Sequence, residues 1–224
     1  MKHIVAFPSA NISTGLECAA KWDAKGYQVL MMIRKDADTP TGGIPIEYVV
    51  EPSPWSGYYG VANLLSHYAF NLMRADLVTF AADDMTPPAQ GESHHSALYF
   101  KRFYYGEGVM QCTGDRQGVD AKGRAASERI CGSPTFGRGW FEKAFGGKGP
   151  FGDFGFKSFY CDELLKEVAG KLGLLYQEPA LTIDHEHWSW MRRPIAPHNI
   201  KAQENWNHDK AIFEALKARG FPHD

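Results

Sequence analysis

The sequence predicts an α/β fold: a mixed, mainly parallel central sheet flanked by helices, in a single domain. Three observations predict it. The first fifty residues read strand, helix, strand, strand. The strand-like runs are near-continuously apolar, as strands buried on both faces are. A further apolar run at 75–82 ends in two adjacent carboxylates, Asp83 and Asp84, and Pro87-Pro88 follow. Prolines stop a strand, and the carboxyl ends of open α/β strands are where such sheets place ligands.

Residues 2–7 form the first apolar run, and Pro8-Ser9-Ala10-Asn11 a small polar loop at its end. Residues 14–25 carry Leu16, Ala19, Ala20 and Ala24 at helical spacing. Ser13 or Thr14 suits the cap, Glu17 completes a capping-box pattern, and Gly26 ends the segment. The second strand is 27–33, ending at Arg34-Lys35-Asp36, and the third is 44–50. A turn-rich loop with Trp55 precedes a helix over 58–73, apolar at Val61, Leu64, Leu65, Tyr68 and Leu72. That helix delivers the chain to the Asp83-Asp84 strand. Beyond it, 97–105 is a short aromatic segment, 109–113 a strand, 114–127 a charged mobile loop, 130–134 extended and 138–145 a short helix. The glycines of 146–150 exclude regular structure there. A helix over 162–172 has Asp162 and Glu163 in its first turn, where the helix dipole favours acids. Short strands at 174–177 and 180–184 lead to His185-Glu186-His187. If that stretch is extended, the two imidazoles face one way. Residues 191–197 are irregular and basic, and 208–219 form a terminal helix.

Composition excludes several classes. The net charge of −2 provides no global field for nucleic acid. The four cysteines are widely spaced, without zinc-site spacing or a disulfide framework, and read as reduced packing thiols. No apolar run is long enough to cross a bilayer, and the amino terminus lacks a signal-peptide h-region, so a cytoplasmic protein is expected. The first fifty residues carry no Gly-x-Gly-x-x-Gly or Walker pattern. Adjacent hard carboxylates suit Mg²⁺ or Mn²⁺ held with a substrate phosphate.

In the order Val5-Ala6-Phe7-Pro8-Ser9, Gly57-Tyr58-Tyr59-Gly60-Val61-Ala62-Asn63, Ala82-Asp83-Asp84-Met85-Thr86-Pro87, Tyr160-Cys161-Asp162-Glu163-Leu164 and Leu181-Thr182-Ile183-Asp184-His185-Glu186-His187, the chain resembles the GT-A (Rossmann-like) glycosyltransferases. The resemblance is to the family-two-like branch and its small phage-encoded members, and runs from Met1 to about Phe213. It implies a nucleotide-sugar-binding half (1–87), an acceptor-binding half (88–200) and a C-terminal helix (201–224). It implies transfer of a sugar from a nucleotide-diphosphate sugar, a UDP-sugar first, with inversion and with Mn²⁺ or Mg²⁺. Asp84 would hold the metal, with His185 or His187 adding a ligand. Pro8, Ser9, Asn11, Arg34, Asn63 and Asp83 would lie against the nucleotide. Asp162, then Glu163, is the expected base. The adjacent Asp83-Asp84 departs from a strict Asp-x-Asp unless Ala82 takes the first position.

The resemblance leaves the acceptor open among a saccharide, a lipid-linked sugar, a protein and a modified DNA base, with a saccharide or a hydroxymethylated DNA base expected first. A DNA acceptor needs a local basic surface, for which Lys101, Arg102, Arg116, Lys122, Arg124, Arg129, Arg192, Arg193 and Lys201 are available. Trp55, Trp140, Trp188 and Trp190 suit stacking or the core, and His94-His95 the acceptor side. The alternatives are a nucleotidyltransferase of related fold, against which the loop after the first strand lacks Lys and Arg, and a non-catalytic nucleotide- or sugar-binding module. A zinc hydrolase on His185-Glu186-His187 lacks the i, i+4 histidine spacing.

Overall fold

A computed structural model describes residues 1–34, 46–50, 57–113, 130–186 and 197–221. Its centre is a seven-stranded sheet in the order β3-β2-β1-β4-β7-β6-β8. The strands are β1 (His3–Pro8), β2 (Gln28–Ile33), β3 (Ile46–Val50), β4 (Leu77–Phe80), β6 (Val109–Cys112), β7 (Pro134–Gly137) and β8 (Leu175–Glu178). β1 pairs parallel with β2 and β4, and β2 with β3. β6 pairs parallel with β8, and β7 runs against both β4 and β6. A separate two-stranded ribbon joins β5 (Met85–Thr86) to β9 (Asp184–His185).

Alternation along the buried strands sorts the core into two layers. Ile4 and Ala6 of β1, Val78 and Phe80 of β4 and Phe136 of β7 pack on one face. That face is covered by α2 (Tyr58–His67), α4 (Arg138–Lys143), α5 (Cys161–Lys171) and α7 (Trp206–Ala218), the last after a short α6 (Pro197–Gln203). Val5, Phe7, Val29, Met31, Leu77 and Met110 point the other way, onto α1 (Ile12–Asp23) and α3 (Glu92–Arg102). The architecture is helix–sheet–helix, as the apolar runs predict.

Three local expectations change. The helix after β1 starts at Ile12, and its cap is Asn11, whose Oδ1 accepts from the amides of Ser13 (3.0 Å) and Thr14 (3.3 Å). Ser13 and Thr14 are themselves in the first turn. The aromatic segment beginning at Ala97 belongs to the longer helix α3. There His95 is fully buried against the sheet, away from any acceptor surface. The second half of the 58–73 helix widens into a π-turn over Tyr68–Leu72.

The four cysteines are buried and free, and burial pushes the Cys18 thiol up to about 12 and raises the other three. They pack rather than react. Trp140 is core, its indole N–H donating to Pro150 O at 3.2 Å. Among the described residues no helix is long and apolar enough to cross a membrane. The expected loop at 114–127, Trp55, Trp188 and Trp190, and Arg116, Lys122, Arg124, Arg129, Arg192 and Arg193 lie outside the described residues.

Candidate functional site

β1 is followed through α1 by β2 and β3 on one side, while β4 lies on its other side. The chain therefore diverges at the carboxyl ends of β1 and β4, the position where open α/β sheets form a ligand crevice. Ser9 closes β1, its amide bonding Met32 O at 2.9 Å. Asp83 and Asp84 follow β4, which keeps pace with β1 one residue further through Ala81 N to Ala6 O at 3.0 Å.

The two carboxylates are divided between different partners. Ser9 Oγ lies 2.6 Å from Asp83 Oδ2 and 2.7 Å from Asn11 O. Its one hydrogen has both as acceptors, and the bond to the carboxylate is the stronger kind. Asp84 Oδ1 lies 3.1 Å from His185 Nε2. The imidazole is nearly buried, and the Asp84 side chain is one-third exposed. His185 reaches it because β9 pairs with β5, Met85 opposite His185, and Glu186 N donates to Asp84 O at 2.9 Å. The loop is pinned from α1: Cys18 Sγ approaches Met85 O (3.4 Å) and Ala82 O (3.6 Å), and Trp22 Nε1 donates to Met85 O (3.2 Å).

A carboxylate oxygen suits Mg²⁺ or Mn²⁺, and the imidazole nitrogen beside it favours Mn²⁺ of the two. Cis donors on an octahedral ion with bonds near 2.1 Å sit roughly 3 Å apart, so Asp84 and His185 fit a shared ion. Among the described residues no group of three His, Cys, Asp or Glu is assembled for one. Open positions suit an ion that also takes substrate phosphates and waters. His187 lies outside the described residues.

Gly15 brings α1 against this corner. A Cβ there would stand 2.6 Å from Met31 Sδ and 2.8 Å from both Cβ and Oγ of Ser9. A helical Gly→Ala change ordinarily gains about 1 kcal/mol. Overpacking against Ser9 costs about 1–3 kcal/mol, so Gly15→Ala is expected to lower the urea midpoint. A raised midpoint would show that the corner is loose.

The other candidates fall around this point in different ways. Pro8 is half-buried at the end of β1, and Arg34 is exposed just past β2, at the same edge. The Asn11 oxygen is committed to capping α1, which leaves its amide N–H groups for a ligand. Asn63 serves the backbone: Nδ2 donates to Gly152 O at 2.7 Å and Oδ1 accepts from Phe151 N at 3.2 Å. Asn63→Ala would strand two half-buried backbone groups, about 2 kcal/mol of stability. A denaturation midpoint like that of the native chain would contradict this.

Asp162 and Glu163 open α5, as the sequence places them. Asp162 Oδ1 accepts from Glu163 N at 3.0 Å, and its carbonyl accepts from Cys131 N at 3.1 Å. Its backbone bonds the Tyr59 hydroxyl, which burial and the Asp162 charge hold well above the usual tyrosine range. Tyr59 meets Tyr58 edge-on, and the Tyr58 hydroxyl donates to Ala81 O at 3.3 Å. A short relay of tyrosines thus connects the start of α5 to the end of the Asp83-Asp84 strand. Beside it lies a cavity of about 240 Å³ between α2 and the 152–157 strap, with Tyr59, Phe154, Lys157 and Cys161 in its walls.

The sequence reading missed Asp209. It is fully buried on α7 and accepts from the amides of Lys157 (3.0 Å), Ser158 (2.8 Å) and Phe159 (2.9 Å). No periodicity announces it, because its partners are backbone groups fifty residues earlier.

No protein-family model matches the chain, and no curated protein matches it. Solved structures share its fold. A Bacillus anthracis protein described as a glucose-1-phosphate thymidylyltransferase, in complex with sucrose, overlays with a TM-score of 0.50 at 12% identity. The match covers 90% of this chain and 95% of that one. The apo-form glycosyltransferase GlyE of Streptococcus pneumoniae TIGR4 overlays more loosely, with a TM-score of 0.38 at 10% identity, over 100% of this chain and 65% of that one.

Proposed function

We propose that this chain is a metal-dependent glycosyltransferase that moves a sugar from a nucleotide-diphosphate sugar to an acceptor hydroxyl with inversion. The observation that carries the reading is the split pair at the crevice, Asp83 on Ser9 and Asp84 on His185. Asp84 and His185, with His187 a further candidate, would hold Mn²⁺ or Mg²⁺, which supplies positive charge to the departing diphosphate. Ser9 and Asp83 fix the floor under the nucleotide, and Asn11 and Arg34 offer N–H donors at its rim, Arg34 with forked geometry.

On the acceptor side Asp162 is the base and Glu163 the second candidate. The acceptor oxygen forms its bond to the anomeric carbon as the carbon–oxygen bond to phosphate breaks. The leaving diphosphate takes that electron pair, and the acceptor proton passes to the carboxylate. The cavity beside Cys161 is the place for the acceptor. Its aromatic walls suit a sugar ring, and it contributes one lysine, which favours a saccharide over hydroxymethylated DNA.

The test is a panel of nucleotide sugars with and without Mn²⁺, reading free nucleoside diphosphate. One donor is expected to release diphosphate with metal, and Asp84→Ala to lower that rate at least about a hundredfold. The fold shared with the thymidylyltransferase keeps nucleotidyl transfer as the second reading. Pyrophosphate formed from a nucleoside triphosphate and a sugar phosphate would establish that instead. Silence in both assays, with no metal-dependent nucleotide binding by calorimetry, would leave a non-catalytic binding module.

A further inference from the structure

We infer that Asp209 is a positioning residue of this reaction, and that the C-terminal helix α7 is part of the acceptor side rather than an appendage. The inference rests on the glycosyltransferase reading.

A carboxylate with no exposure is costly unless its charge is met by hydrogen bonds. Asp209 meets it with three successive amides, at residues 157–159. These lie directly before the start of α5. Such amides aligned on a carboxylate fix the path of the chain, because each bond is charge-assisted and directional. The next residue, Tyr160, has φ of 69°, a left-handed conformation that a non-glycine residue holds only when its surroundings impose it. α7 imposes it here: Phe213 stacks on the Tyr160 ring at 5.2 Å, and Trp206 packs on Tyr160 and Phe159 at 5.0 and 4.9 Å. Asn205 Nδ2 adds a bond to Ser158 Oγ at 3.3 Å. Cys161, Asp162 and Glu163 follow within three residues, so their placement is set by this grip.

The grip reaches the other half of the site as well. Lys157, the first residue held, accepts from Tyr58 N at 2.7 Å through its carbonyl. Tyr58 is the first residue of α2 and bonds Ala81 O, two residues before Asp83. Asp209 therefore sits where one strap sets both the start of the helix bearing the acids and the start of the helix abutting the carboxylate loop. Misplacing a catalytic group by about 1 Å can cost about a hundredfold in rate, even when the change is remote. Ser9 and the carboxylate loop are held independently as well, through Met32 O, Ala6 O and the Cys18 and Trp22 contacts on Met85 O, so nucleotide binding depends less on that placement.

The test compares Asp209→Asn with Leu216→Ala, using the donor that the nucleotide-sugar panel identifies and water as the acceptor. Leu216 is buried on the same helix and its side chain has no polar atom to bond the strap amides, so its truncation controls for lost stability. An Asn oxygen can keep the Ser158 and Phe159 bonds but turns an NH₂ toward the Lys157 amide. Asp209→Asn is expected to lower kcat at least about tenfold with donor KM within about twofold, and to speed amide hydrogen exchange at 157–163. Leu216→Ala is expected to lose stability while keeping kcat. Unchanged kcat and exchange in Asp209→Asn overturns the inference. So does an equal loss of kcat in the two variants, which would mean that helix stability alone is at work. If Asp209→Asn does not fold, Asp209→Glu replaces it: a rate at the native level there overturns the inference, and a tenfold loss with native donor KM supports it. A native chain that turns over no donor defeats the glycosyltransferase reading itself, which the variants then have no part in deciding.

Discussion

Gly57→Ala is expected to destabilise the fold by about 3–5 kcal/mol, combining a backbone conformation reserved for glycine with overpacking. Gly57 caps α2 with φ of 85° and ψ of 166°, a region that side chains with a Cβ scarcely enter. The space is closed as well. A Cβ would stand 2.6 Å from the Lys157 carbonyl oxygen and 2.8 Å from Lys157 Cα. Those are backbone atoms, so no rotamer change relieves the collision. The strap cannot retreat, because its amides are held by Asp209 and its carbonyl by Tyr58 N. Urea denaturation reads the result as a lower midpoint at unchanged m-value. A loss below about 0.5 kcal/mol, the scale of an unremarkable surface change, would show that the α2–strap contact is not tight.

The second large effect is that of acid. His3, Thr79, Thr135, His95 and Tyr27 form a buried chain of hydrogen bonds between the sheet and α3. Its links are His3 Nε2 to Thr79 Oγ1 (2.7 Å), Thr79 to Thr135 (2.7 Å), Thr135 to His95 Nε2 (2.9 Å) and His95 Nδ1 to the Tyr27 hydroxyl (2.9 Å). Ser96 joins it to Glu92. Burial pushes His95 down to about 3 and His3 well below the ordinary value of 6.5. Both are neutral in the native state. Above 6.5 the unfolded chain is also neutral at these sites, and the stability is whole. Below 6.5 the unfolded histidines take up protons that the native ones refuse, at about 1.4 kcal/mol per pH unit for each. Moving from pH 7.5 to pH 5 should therefore remove up to about 4 kcal/mol through this pair. Urea midpoints across that range check it, with His95→Gln expected to halve the slope. A flat profile between pH 6.5 and 5 would mean that the two histidines charge in place.

The sheet was readable where burial on both faces wrote itself into the residues. β1, β2 and the strand before Asp83 are near-continuous apolar runs, interrupted by His3, Gln28 and Thr79, and each falls within two residues of its structural bounds. α3 was not, because half its surface is polar and its buried positions are His95, Ser96 and Tyr99 rather than aliphatics. β7 was not, because Pro-Thr-Phe-Gly carries turn residues at both ends and is a strand only because β4 and β6 lie on either side. At the site, the linear pair Asp83-Asp84 is visible in sequence. Its division is not, since it needs Ser9 from 74 residues earlier and His185 from a two-residue ribbon. Asp162 and Glu163 at a helix start follow from spacing alone, while the carboxylate that holds the approach to them follows only from tertiary contact.

The reversed direction of β7 frees one connection from the length constraint that parallel neighbours impose. β6 ends, and β7 begins, at the edge where β1 and β4 deliver Ser9 and Asp83. Gln111 and Ser133, both fully buried there, meet through Ser133 N and Gln111 Oε1 at 3.4 Å. A connection between parallel strands must leave this edge and cross back to the opposite one. The connection from Cys112 to Pro134 joins antiparallel strands, so it sets out from the edge and returns to it. Its length is bound to no crossover, so residues inserted or lost there leave the strand register untouched.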